Sequence, residues 1–173
     1  MEDNIILRLK EAFPVLSEAE ITVAPRRIFL NVPESAFMDI MWFVFTEMGF
    51  THLCTITGLD IGGRFEFIYH VSNQDGIILN IKYQTHGVDD VVIPSVLPIY
   101  QGAVFYEREL SGLFGIKVNG LPPGRQYPLP DNWPVGQYPM RKDWAPENLE
   151  GKHEQDNGSV GAAASRVGGA GKL

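Results

Sequence analysis

The chain has 173 residues, 45% of them hydrophobic, enough for one core of ordinary size. A formal net charge of -7, with Lys and Arg clustered only in pairs, argues against nucleic acid as a partner, because phosphate binding needs clustered cations that release counterions. Cys54 is the only cysteine, so no internal disulfide and no Cys-ligated cluster or zinc knuckle is expected, and a reducing, cytoplasmic setting fits best.

In chain order, the acidic start Met1-Glu2-Asp3 lacks the basic and apolar regions of a secretory signal. Glu2 to Phe13 predicts a short amphipathic helix, with Ile5, Ile6, Leu9 and Ala12 on one side and Pro14 as its stop. Glu20 to Val32 reads as extended chain. After Pro33, the spacing of Phe37, Met41, Val44 and Met48 predicts a core-facing helix that Gly49 ends.

The stretch FEFIYHVSNQDGIILNIKYQ, residues 65–84, predicts a hairpin. Only a three-residue loop, Gln74-Asp75-Gly76, keeps the apolar positions on one face. It pairs Val71 with Leu79 and Phe67 with Tyr83, and puts Gly76 in the left-handed position. The same register sets His70 opposite Asn80 on the more polar face, as a solvated or edge histidine.

The longest uncharged run, Val91 to Tyr106, is interrupted by Pro94 and Pro98 and is shorter than the roughly 20 apolar residues that span a bilayer. It leads into FYERELSGLFGI, Phe105 to Ile116, which predicts a helix with Ala103, Tyr106, Leu110 and Leu113 facing the core. Glu107 then flanks that stripe, Glu109 lies on its other side and Arg108 points away. Carboxylates two apart on a helix diverge, so they cannot act together on one bond. The three charges form a rim that is either a solvated face or a partner surface.

Six prolines (Pro122, Pro123, Pro128, Pro130, Pro134 and Pro139) predict an extended arm over residues 120–149. It carries Tyr127, Trp133, Tyr138, Trp144, Arg125 and Arg141, the residue types that anchor interfaces; the alternative is that the arm wraps its own domain and covers a sheet edge. Residues 150–173 shift to Gly, Ala and Ser without apolar periodicity and predict a flexible tail.

No catalytic, cofactor or metal site stands out. His52-x-Cys54 could share a strand face but supplies only two ligands, and no activating motif surrounds Cys54. His70, His86 and His153 lie far apart. Gly62-Gly63 marks a turn or bulge rather than a phosphate loop. The fold expected is α+β: a single domain over residues 1–119, with a mixed or antiparallel sheet packed by helices.

The run IPSVLPIYQGAVFYERELSGLFGIKVNG, with LPDNWPVGQYPMRKDW after it, resembles the signature region of the 30-kDa subunit family of respiratory complex I. That family includes relatives in membrane-bound, energy-converting nickel–iron hydrogenases. The matching positions are Glu107, Arg108, Glu109, Phe114, Gly115 and Ile116, then Arg141, Lys142 and Asp143. The complex I pattern has an Asp where this chain has Ser111-Gly112, and LPDNWPVGQYPMRKDW is closer to the hydrogenase branch.

The resemblance implies a subunit without cofactors that packs against a large nickel–iron or quinone-site subunit, with iron–sulfur clusters in neighbouring chains. It would sit on the cytoplasmic face and meet the membrane only through partners. Glu107, Arg108, Glu109, Phe114, Gly115, Trp133, Arg141, Lys142 and Asp143 are then the expected partner interface. Two rival readings stand beside it: a free-standing hydrolase using Glu107, Glu109 or Asp131, and an adaptor unrelated to redox chemistry.

Overall fold

A hairpin of alternating side chains organises the sheet. In the computed structural model, which describes residues 1–147 and 149, strands β4 (Phe65–Ser72) and β5 (Ile78–Gln84) pair antiparallel, with Val71 opposite Leu79, Phe67 opposite Tyr83 and His70 opposite Asn80. Gly76 takes φ 72 in the loop, as the expected register requires. The Asn73 side chain accepts from the Ile77 amide at 3.0 Å and closes the turn.

Two sheet edges are built around this pair. Strand β3 (His52–Asp60) lies antiparallel to β4, and a parallel partner for β5 comes from earlier in the chain. The extended stretch 20–32 breaks at Arg26, which adopts φ 60, into β1 (Ile21–Ala24) and β2 (Arg27–Asn31). Arg26 is held there by the Glu2 carboxylate on its amide (2.9 Å) and by its guanidinium on the Asp75 and Gly76 carbonyls. The five-stranded order is β1-β2-β5-β4-β3, a mixed sheet.

One sheet face carries Ile28, Leu30, Leu79, Ile81, Phe65, Phe67, Tyr69 and Val71, all fully buried. Helices α1 (Glu2–Ala12) and α2 (Phe37–Thr46) cover it. Phe37, Met41 and Val44 point inward as their spacing predicts, with Ile40 beside them. The helix stops at Thr46, short of the expected Gly49, and leaves Met48 half-buried in the turn after it. The Phe37 ring lies 4.7 Å from Tyr69 and 4.6 Å from Tyr83. Each such aromatic removes enough apolar surface from water to contribute about 1.5–3 kcal/mol.

His70 departs from expectation. It is half-buried and does not lie at an edge, because β4 is an inner strand. Asn80 donates to the Ile28 carbonyl at 2.9 Å, which leaves its Oδ1 to accept from His70 Nδ1 at 2.6 Å; Nε2 meets the Thr57 hydroxyl at 3.0 Å. The chain of bonds ties four strands together on the polar face.

A smaller parallel pair, β6 (Val92–Pro94) and β7 (Lys117–Asn119), is connected through α3 (Ala103–Phe114). Helix α3 packs on β3 at Gly58, where a Cβ would lie 2.7 Å from both Leu110 and Phe114. The Tyr106 hydroxyl donates to the Cys54 carbonyl at 2.9 Å. Residues 120–147 form neither helix nor strand apart from the last turn. The tail expected over 150–173, with His153, lies outside the described residues.

Candidate functional site

Helix α3 and the proline-rich segment after it carry the charged signature. The buried stripe of α3 is Ala103, Glu107, Leu110 and Phe114, rotated from the expected Ala103, Tyr106, Leu110 and Leu113. Glu107 is therefore not part of an exposed rim: its relative exposure is 0%. A carboxylate is tolerated on this face because donors meet both oxygens. Ser95 Oγ donates to Oε2 at 2.7 Å and the Val96 amide donates to Oε1 at 2.6 Å. Burial raises the Glu107 pKa above the usual carboxylate range, with the two bonds opposing it. The buried hydroxyls of Tyr69 and Tyr83 have no hydrogen-bond partner, and burial pushes both upward, with the Glu107 charge adding to the effect.

The neighbouring signature residues divide between inside and outside. Phe114 is core, its ring 5.4 Å from Phe65. Arg108 turns its guanidinium to the Pro122 and Pro123 carbonyls, each at 3.4 Å, and lies over Gly124. Glu109 is half-buried, and no salt bridge or side-chain hydrogen bond involves it among the described residues. Ser111 donates to the Ile116 carbonyl at 2.9 Å, and Gly112 has the Tyr127 carbonyl 3.0 Å from where a Cβ would sit. Gly115 ends the helix at φ 73 and lies under the Tyr138 ring, so a side chain there is excluded both by backbone conformation and by space.

The segment 120–147 runs back over α3. Tyr127 meets Phe105 edge-on at 5.9 Å, and both rings are largely exposed, 46% and 58%. Trp133 and Trp144 lie 6.3 Å apart, and both indole N–H groups donate to Gln137, one to its main-chain carbonyl and one to its side chain. The Met140 amide donates to the Leu113 carbonyl at 3.1 Å. Arg141 donates to the Val88 carbonyl while its guanidinium lies 5.3 Å from the Phe65 ring and 5.4 Å from Tyr138. The Lys142 amide donates to Asp60 at 2.9 Å; this bond is the main reason the Asp60 pKa lies below its usual value. Asp143 is exposed.

These groups do not assemble an acid–base pair. Glu107 is enclosed by Ser95 and Val96, whereas the exposed Asp131 pairs with Arg125 at 2.6 Å. The β3–β4 register shifts between Leu53 and Thr55, an irregularity at Cys54, and no group of three or more His, Cys, Asp or Glu gathers among the described residues. Sequence reasoning missed Ser95, Gly112 and Gly124, whose partners lie far along the chain. Ser95 also accepts from the Leu97 amide at 3.1 Å, which fixes the hydroxyl beside Glu107.

Comparison with known proteins gives a consistent set of relatives. The family described as respiratory-chain NADH dehydrogenase, 30 Kd subunit, matches residues 30–150. A subunit of the F(420)H(2) dehydrogenase of Methanosarcina mazei is 33% identical over 145 residues, covering 82% of this chain and 90% of the relative. Formate hydrogenlyase subunit 5 of Escherichia coli is 28% identical over 147 residues, covering 81% of this chain but 25% of that longer polypeptide. Among solved structures, a chain of the membrane-bound sulfane sulfur reductase, an archaeal respiratory membrane complex, superposes with a TM-score of 0.75 at 27% identity, covering 89% of this chain and 91% of that one.

Proposed function

The chain belongs to the family of the 30-kDa subunit of the respiratory-chain NADH dehydrogenase, and on that premise we propose that it is a cofactor-free structural subunit of a membrane-associated, ion-translocating oxidoreductase. It packs against the large subunit of an energy-converting nickel–iron hydrogenase, with iron–sulfur clusters held by neighbouring chains. The observation that carries this reading is the family match over residues 30–150, which takes in the whole of α3 and of the segment laid over it.

The length relation supports a large, closely packed partner, since the region matched in formate hydrogenlyase subunit 5 is one quarter of a longer polypeptide. There, the module is covalently joined to further chain. The surface of this chain supports docking more than chemistry: exposed Phe105, Tyr127, Val135 and Met140 border α3 and the segment after it. Among the described residues no helix is long and apolar enough to cross a membrane, in keeping with a peripheral position on the cytoplasmic face, reached through partners.

The equivalent position in an NADH- or quinone-linked complex is the second reading. It is favoured by the family description, which names the NADH dehydrogenase of the respiratory chain. Affinity isolation of the full chain with its partners from native membranes separates the two. A copurifying large subunit with two Cys-x-x-Cys pairs, able to ligate nickel and iron, sustains the hydrogenase assignment, and one without them moves it to the quinone-linked branch. Recovery of the chain alone, or with proteins that carry no redox centre, overturns both. Stoichiometric nickel, iron or zinc in the purified chain overturns the cofactor-free role.

A further inference from the structure

We infer that residues 120–144 are a strap belonging to the chain's own fold and that Arg141 is its clamp, so that the arginine of the RKD motif serves assembly by holding the strap rather than by touching a partner. The inference rests on the proposed function only for what the strap presents outward. Its test is made on the isolated full chain, where failure of the partner assignment has no bearing.

Arg141 joins three separate regions. Its guanidinium lies against Phe65 at the start of β4 and against Tyr138 of the strap, and it donates to the carbonyl of Val88, which lies beyond the end of β5. Both aromatic contacts and one donor, the Nη2 group, are thus engaged within the chain. A guanidinium suits that role better than an ammonium, because it stacks on rings while donating in its own plane. No carboxylate forms an ion pair with it among the described residues. The surrounding contacts make the strap a seated element, with the Met140 amide on Leu113, the Lys142 amide on Asp60 and the Arg108 guanidinium on the Pro122 and Pro123 carbonyls.

The seat itself is cut into the helix. Gly112 lies in the interior of α3, where glycine weakens a helix relative to leucine, yet the Tyr127 carbonyl fills the space a side chain would take. Gly115 does the same for Tyr138, and Gly124 in the strap does so for Arg108. Close approach at three glycines fits a surface shaped to receive this segment. What a partner then meets is composite: Phe105 from α3 together with Tyr127, Val135 and Met140 from the strap.

Hydrogen exchange of the isolated full chain tests the clamp. Arg141→Ala should speed exchange of the Met140 and Lys142 amides at least about tenfold, since exchange follows the population of the opened segment, while β4 and β5 stay protected. Arg141→Lys should fall between, keeping the charge but losing the stacking plane. Gly112→Leu should open the strap without unwinding α3, because leucine is the better helix former. Glu109→Lys, at a position with no partner in the described chain, should leave strap exchange unchanged. If Arg141→Ala also exposes the sheet, Arg141→Lys and Gly112→Leu decide in its place. Unchanged Met140 and Lys142 exchange in Arg141→Lys and Gly112→Leu overturns the clamp, and loss of partner copurification alongside that result assigns Arg141 to the interface instead.

Discussion

The hairpin β4–β5 and the helix α3 with its strap use their polar residues in opposite ways. In the hairpin, alternation sorts the side chains: apolar positions face the helices, and His70, Asn80, Lys82 and Glu66 occupy the other face. In α3 a charged residue sits on the buried stripe, and arginines that look outward in sequence bind carbonyls of their own chain. A sheet face must be sorted because each strand exposes every second residue. A helix stripe tolerates a polar member wherever a neighbouring loop brings donors to it.

The largest test of that difference replaces Leu110, buried on the α3 stripe and packed at Gly58. Leu110→Asp has no Ser95 or Val96 to receive its charge, so it should cost several kcal/mol, a large share of the roughly 5–15 kcal/mol of a typical domain. Urea unfolding should show loss of the folded baseline. A melting loss no greater than that of Arg108→Glu would put Leu110 at the surface.

Next in size is Gly115→Ala. A left-handed conformation costs a residue with a Cβ about 1–2 kcal/mol, and the added atom also meets the Tyr138 ring. The expected result is a clear fall in melting temperature together with faster strap exchange. A change in stability without any change in the strap would assign Gly115 to the helix cap alone.

Glu107→Gln probes the polar member of the stripe through pH. Burial raises the folded-state pKa of Glu107, so the fold binds this proton more tightly than the unfolded chain does. Its contribution to stability is then greatest below the unfolded value, about 4.3, and is lost as pH rises through the raised folded value. The substituted amide keeps an acceptor for the Val96 N–H and a donor for Ser95 without titrating. Chemical denaturation from about pH 4 to about pH 7 should therefore show wild type losing stability relative to Glu107→Gln. A pH-independent difference would mean that burial does not perturb Glu107.

The smallest effect is expected at Arg125 and Asp131, which pair at 2.6 Å with 73% and 69% of their side chains exposed. Such pairs contribute about 0.2–1 kcal/mol and weaken with salt. Arg125→Ala should leave thermal unfolding almost unmoved in the folded chain. A loss as large as that from Gly115→Ala would show the strap to be stapled here as well as at Arg141.

Much of the sheet was legible in the sequence because its information is local. Two alternating runs and the length of the loop between them fix Val71 opposite Leu79 and Phe67 opposite Tyr83, and the left-handed Gly76 follows from the same count. Helix α2 was legible for a similar reason, through the spacing of Phe37, Met41 and Val44. The break at Arg26 was not, since an arginine at φ 60 is held there by Glu2, Asp75 and Gly76, residues distant in sequence.

The sequence also determined that α3 exists and that the prolines after it form no regular element. Which face α3 buries was decided only in the tertiary structure, because Glu107 needs Ser95 Oγ and the Val96 amide, and a carboxylate read without them belongs at the surface. The destination of the strap was decided there too. Proline fixes what a segment cannot form, but where it lies depends on Phe65, Val88, Asp60 and the glycines of α3. These contacts join residues tens of positions apart through single rings, carbonyls and absent side chains, and none of those leaves a period in the sequence.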